Sequence, residues 1–305
     1  MMAAALPASH PTRVLKRMKA IRLVVNGDDF GVSHEVNEAV VRAYRDGCLT
    51  SCSLMAGGEA FEDAVRLSRE NPGLDVGLHL VAVCGRSVLP PSEIPCLVDA
   101  RGRFPFNPAS AGLKYFFSRT ARRQLKKELS AQLERVLSAG LRVSHIDSHC
   151  HMHVHPVIFD AAVELGERCG CRKMRVPEDD LEAALPFLEG NRTGVAAMAA
   201  VFRLLANRMR KKLVGRGFAF ADAVHGYFLS GRMNEAYVLG LLDRLHREKN
   251  ELYLHPAVYG EGRLLGPGEV RCAAEFGILV SPRVRARIEE LDIQLTNYDG
   301  LVDTL

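Results

Sequence analysis

The stretch His145-Ile146-Asp147-Ser148-His149-Cys150-His151-Met152-His153-Val154-His155-Pro156 places five of the chain's eleven histidines within eleven positions, with an aspartate among them. Neutral imidazole is a common ligand for borderline divalent metals, and a neighbouring carboxylate adds charge and a hard oxygen donor. Residues 143–146 read as a short buried strand, so the cluster begins where a strand ends. Enzymes built on parallel sheets place their chemistry at such carboxyl ends. The tract is internal, interleaved with Asp, Met and Val, and flanked by apolar segments. That pattern fits a metal site better than a tag or a solvated loop.

Outward from this cluster, short apolar runs alternate with amphipathic segments along the whole chain, which is the α/β pattern. Strands are expected at 21–26, 49–55, 74–80, 143–146, 173–176, 252–255 and 292–295. Helices are expected after Ser33, over 59–69, after Ser118, over 157–168, and near 195–214, 234–247, 268–277 and 282–291. Residues 82–112 are rich in Pro and Gly and read as a long functional connection. Seven strands alternating with helices predict a barrel-like parallel sheet. No repeat or Gly/Ser linker divides the chain, so one domain over 20–305 is expected, preceded by a disordered extension over 1–19.

Bulk properties narrow the function classes. Charged residues at 25% and hydrophobic residues at 48% suit a globular enzyme. A net charge of +4 is too small to argue for nucleic acid as a partner. No apolar run approaches the ~20 residues needed to span a bilayer, and residues 1–19 lack the apolar core of a signal peptide. A cytoplasmic location is expected, with peripheral contact at the inner membrane surface. The eight cysteines show no framework spacing and read as reduced structural thiols. Oligomeric state is not encoded in any pattern.

Three further polar signals sit where strands stop. Asn26-Gly27-Asp28-Asp29-Phe30-Gly31 follows the first strand. Adjacent carboxylates in a partly dry site call for a nearby cation, although Asn, Gly and Asp are also turn formers. Gly77-Leu78-His79 ends the third strand, and His255-Pro256 ends a late one. Each histidine taken alone reads as a satisfied core residue. Their joint placement at corresponding strand ends points instead to one site at the barrel mouth. Alternation along an extended segment gives His149, His151 and His153 the same parity, so His151 and His153 are alternative ligands or supporting groups, as is Asp147.

Asn26 to Gly31, Gly77-Leu78-His79, Asp147-Ser148-His149-Cys150-His151, Arg175 and His255-Pro256 together resemble the YdjC-type carbohydrate deacetylases, distant relatives of the NodB-like polysaccharide deacetylases. The resemblance covers about residues 20–298. Stretches such as Val88-Leu89-Pro90-Pro91, Gly102-Arg103-Phe104-Pro105 and Gly112 to Phe117 are similar to the branch associated with hopanoid biosynthesis. Gly27 departs from the family's usual Ala. The resemblance implies a distorted TIM-type (β/α) barrel and one divalent ion bound by Asp29, His79 and His149. It implies Asp28 as general base, Arg175 holding Asp28 ionised, and His255 protonating the leaving amine. The ion's identity stays open between Mg²⁺ and Zn²⁺: two imidazoles suit the softer ion, and Mg²⁺ prefers oxygen shells.

The implied reaction is removal of an N-acetyl group from an amino sugar, either an oligosaccharide or an N-acetylglucosaminyl hopanoid. A metal-dependent phosphoesterase or amidohydrolase barrel is the rival enzyme class, but those usually open with His-x-His after the first strand. A metal-stabilised sugar- or lipid-binding module would leave Asp28 and His255 unexplained. The helix near 195–214 carries Val201, Phe202, Leu205 and Met209 on one face and Arg203, Arg208, Arg210, Lys211 and Lys212 beside them, with no acidic residue from 190 to 221. Such a basic amphipathic helix is expected to contact a membrane or a glycolipid substrate.

Overall fold

Arg22–Phe30 forms β1, and every residue from Leu23 onward is buried, as a strand covered on both faces requires. The computed structural model describes residues 20–188, 192–259 and 272–302; the expected extension over 1–19 lies outside them. After β1 come α1 (His34–Asp46), β2 (Ser51–Leu54), α2 (Phe61–Glu70), β3 (Asp75–Leu80), α3 (Pro108–Phe117) and α4 (Arg119–Ser138). Next are β4 (Ile146–Ser148), a 3-10 segment (His149–Val154), α5 (Pro156–Cys169), α6 (Leu181–Ala184) and α7 (Arg192–Val214). The chain continues through β5 (Ala223–His225), α8 (Glu235–Leu242), β6 (Lys249–Leu254), α9 (Cys272–Leu279), α10 (Pro282–Glu290) and β7 (Gln294–Thr296).

All strand pairs are parallel, in the order β4-β3-β2-β1-β6-β5. β7 lies beside the first half of β1, and β2 beside its second half. The helices start where short polar side chains take up free backbone N–H groups: Ser33 accepts from Val36, Asn107 from Ser110 and Ser118 from Ala121. α5 ends at Gly170, whose φ of 74° is the left-handed conformation that glycine adopts without a Cβ clash.

The expected strand over 173–176 does not form a ladder. Residues there make single bridges, Met174 to Ile146 and Lys173 to Ala219. A little further on, Val224 N–H donates to the Glu178 carbonyl. This irregular segment therefore links the two edge strands, β4 and β5, and curls the sheet into a distorted barrel. β5 gave no signal in the sequence because three residues are too few to display a period. α3 was likewise unexpected and begins within the expected 82–112 connection, since its apolar residues are not arranged to face a core.

α7 corrects the expected lipid-facing stripe. Ala206, Met209 and Leu213 are buried, and Phe202 and Leu205 are half-buried against the body of the protein. Of that stripe only Val201 is exposed, together with Met198, Leu204 and Val214 outside it. Arg210 pairs with Glu178, and Lys212 pairs with Asp160 at 2.6 Å. The acidic partners come from other elements, which the acid-free run within the helix concealed. No described helix is long and apolar enough to cross a membrane.

Gly77 in β3 shows how tightly the inner layer is filled. A Cβ there would stand 2.3 Å from His145 Cε1. The His145 ring cannot move aside easily, because it stacks on Tyr298 at 3.7 Å and 5° and bonds to Ser53 and Ser144. Gly77→Ala is therefore expected to cost about 1–3 kcal/mol of stability by overpacking, read as a lower urea midpoint with unchanged slope.

Candidate active site

β1 delivers two adjacent carboxylates to one place, which a regular strand cannot do because neighbouring side chains point to opposite faces. The register between β1 and β2 slips between Gly27 and Phe30, and Asp29 takes a φ of 65°. This irregularity turns Asp28 and Asp29 toward the same buried cluster. The departure at Gly27 is absorbed locally: a Cβ there would meet Leu49 Cδ1 at 2.9 Å and Val40 Cγ2 at 3.1 Å.

Asp29, His79 and His149 each present a donor atom within 4.8 Å of the others, and all three are buried. His149 Nδ1 lies 2.9 Å and His79 Nε2 3.3 Å from Asp29 Oδ1. The other nitrogen of His79 faces Asp147 Oδ1 at 2.8 Å, so Asp147 fixes the ring and aims Nε2 at the cluster. Burial alone would raise the Asp29 pKa, but His149 and His79 outweigh it and hold the carboxyl well below its usual range. Burial would depress the His79 imidazole, yet the Asp147 charge prevails and lifts it to about 10. Asp28, Asp29, Asp147 and Glu251, all buried, are set against a single guanidinium, so the cluster favours a further positive charge. Two imidazoles and a carboxylate around a buried, electronegative point are a fitting donor set for one divalent ion.

That guanidinium is Arg175, fully buried. Its two terminal nitrogens donate to Asp28 Oδ2 and Oδ1, each at 2.8 Å, and Nε donates to Glu251 Oε1 at 2.7 Å. Asp147 Oδ2 is 2.7 Å from Nη1. Asp28 also accepts from Asn26 Nδ2 at 2.7 Å. A second cluster, Asp28, His79 and Asp147, has metal-ligand proximity as well. Arg175 already supplies its positive charge, so it is poorly suited to a second ion.

His151 and His153 are not brought into the ligand cluster. The shared parity assumed an extended segment, but Cys150 and His151 adopt φ of 53° and 51° inside the 3-10 segment. His151 Nε2 is instead 2.9 Å from the Tyr253 hydroxyl, and His153 lies between Ser148 Oγ at 2.6 Å and the Arg175 carbonyl at 3.0 Å. Burial pushes His151 down and His153 to about 4, so both are neutral framework groups. His145, depressed to about 3 by burial, is another.

His255 follows β6. Its backbone N–H donates to Glu275 Oε2 at 2.7 Å, and its Nδ1 stands 3.5 Å from that same oxygen. Burial would lower this imidazole, but Glu275, with Asp29 and Asp28 behind it, raises it to about 9. The sequence reading missed Glu275, Glu251, Tyr253 and Asn26. Glu275 carried a usable signal, being a lone carboxylate inside the otherwise apolar stretch 272–279. The eight cysteines are free thiols. Cys84 and Cys150 are neighbours beside His149, and their hydrogen bond draws the Cys84 thiol down to about 7.

The sequence model of the YdjC-like protein family matches residues 22–290. The chain belongs to the YdjC-like family. Among relatives of this YdjC-like protein, the carbohydrate deacetylase of Brevibacillus brevis is 32% identical over 282 residues, covering 92% of this chain and 100% of the relative. That of Geobacillus stearothermophilus is 32% identical over 280 residues, covering 90% and 96%. The fold is also that of an Enterococcus faecalis protein whose structure is described in terms of cellobiose-phosphate cleavage. It has a TM-score of 0.70 and 24% identity, covering 93% of this chain and 100% of that one.

Removing the guanidinium tests this electrostatic arrangement. Arg175→Ala leaves three buried carboxylates uncompensated and is expected to cost about 3–5 kcal/mol in urea unfolding. Lys126→Ala removes an exposed pair with Glu164 and should cost less than about 1 kcal/mol.

Proposed function

We propose that this YdjC-like protein is a metal-dependent carbohydrate deacetylase that hydrolyses the N-acetyl amide of an amino sugar. The observation that carries the reading is the grouping of three donors, Asp29, His79 and His149, with a carboxylate clamped by arginine and a histidine held protonated. The family and its deacetylase relatives favour amide hydrolysis over phosphoester chemistry. So does the Asp-Asp pair at the end of β1, where the rival barrels carry His-x-His.

Asp29, His79 and His149 would hold the ion, which supplies an electrophile that acidifies water and polarises the acyl oxygen. Asp28 takes a proton from the attacking water. Arg175 holds and orients that carboxylate, and Oδ2, which accepts from Arg175 Nη1, retains a lone pair for the transfer. Water oxygen bonds to the acyl carbon, the C–N bond breaks, and His255 gives its proton to the departing nitrogen. The products are acetate and a free amine. A neutral amine leaves far more readily than an amide anion, so the raised pKa of His255 serves the second half of the reaction. No serine or cysteine nucleophile is required. Within N-acetylated amino sugars, the hopanoid-branch resemblance makes an N-acetylglucosaminyl hopanoid the candidate substrate, with chito-oligosaccharides as the comparison. Acetate release from each, with and without added Zn²⁺ or Mg²⁺, tests the reading directly.

Two outcomes are expected. Asp28→Asn retains metal by elemental analysis but loses about 10²–10⁴ in rate, because an amide cannot accept the proton; His79→Ala loses the metal itself. Normal turnover by Asp28→Asn would reassign the base. On the alkaline side, His255 must be protonated, so kcat/KM should fall as pH rises through about 9. Glu275→Gln removes the charge that raises this pKa and should move that limb to lower pH. A limb that stays in place would mean another group is the acid.

A further inference from the structure

We propose that α3 and the residue that leads into it, Phe106, form a docking surface for an anionic lipid membrane. A helix on a globular protein normally turns its apolar side chains inward. In α3 only Ala111 and Tyr115 do so, Tyr115 being anchored by its hydroxyl to the Ala82 carbonyl at 2.7 Å. Leu113, Phe116 and Phe117 face outward at 62%, 47% and 74% exposure, and Phe106 joins them at 63%. The two adjacent phenylalanine rings meet edge to face at 5.1 Å, and Leu113 lies three and four positions before them, on the same side of the helix.

Charge identifies the partner. Residues 100–127 contain eight Lys and Arg and no Asp or Glu. Lys126 and Lys127 are paired with Glu164 and Glu93, and Arg122 is turned back onto the Phe116 carbonyl. Lys114, Arg119 and Arg123 are exposed and make no ion pair among the described residues. Exposed aromatics and exposed cations in one stretch of chain match the acyl boundary and headgroups of an anionic bilayer. A second copy of this chain fits poorly, because a two-fold contact would set the same three cations against one another. α7, the surface expected from sequence, has Arg210 and Lys212 committed to internal partners.

The surface adjoins the candidate active site. The Phe116 ring is 6.1 Å from His155, which follows the 3-10 segment bearing His149. The Phe106 carbonyl accepts from the thiol of Cys84, the neighbour of Cys150. Docking through α3 would hold the barrel mouth at headgroup level.

Co-sedimentation of the full chain with phosphatidylglycerol vesicles, and with phosphatidylcholine vesicles as the neutral reference, tests the proposal. Binding to the anionic vesicles that weakens with salt is expected. Triple reversal, Lys114→Glu, Arg119→Glu and Arg123→Glu, should lower the partition coefficient by more than roughly 100-fold, the factor that loss of three basic residues at about 1 kcal/mol each gives before the added repulsion. Phe116→Ser with Phe117→Ser should abolish binding, while Val201→Ser with Leu204→Ser on α7 should not. All these positions are exposed, so unchanged circular dichroism and unchanged acetate release from a water-soluble N-acetylated sugar would keep this result separate from the catalytic reading. Native protein that ignores anionic vesicles would overturn the proposal. So would loss of binding in the α7 variant alone, or self-association by light scattering that Phe117→Ser removes without any vesicle binding.

Discussion

Arg175 is the group on which the rest of the site depends. It pairs with Asp28 from β1, Asp147 from β4 and Glu251 from β6, three buried carboxylates that would be costly to bring together without a cation between them. The same residue belongs to the irregular segment that joins the edge strands, with its N–H donating to the Ile146 carbonyl. One side chain thus links closure of the barrel to the orientation of the proposed base. A lysine would not substitute, since a point charge cannot meet both oxygens of Asp28 while also reaching Glu251.

Around this anchor, electrostatics divide labour between groups that look alike in sequence. Asp28 and Asp29 are adjacent carboxylates, but one faces a guanidinium and the other faces two imidazoles. His79 and His255 are both strand-end histidines. The first has Asp147 behind it and aims its second nitrogen at Asp29; the second has Glu275 behind it and is raised to about 9. Both imidazoles are set by a buried carboxylate from a different element.

The backbone carries strain at the same place. Asp29, Cys150 and His151 are non-glycine residues with positive φ, a conformation that costs of order 1 kcal/mol or more each. The gain is positional. The twist at Asp29 brings both carboxylates to one cluster, and the twist at Cys150 and His151 separates His149 from its neighbours. His151 and His153 then serve as buried, hydrogen-bonded framework rather than as ligands.

The α/β class, six of the seven parallel strands and the strand-end placement of Asp28, Asp29, His79, His149 and His255 were legible in the sequence, because hydrophobic period and polar punctuation are local signals. The helix starts at Ser33 and Ser118 were legible for the same reason. β5 and the bridging role of 173–178 were not, since three-residue strands have no period and single bridges have no pattern. Nor was the sorting of the histidine run, which depended on two left-handed residues that no local rule requires. The commitment of Arg210 and Lys212 to Glu178 and Asp160, and the outward turn of α3, depended on which elements pack together. Sequence by itself determined which chemical groups stand at the ends of strands. Tertiary structure alone decided which of them share a buried charge, because pairing and burial arise between elements distant along the chain.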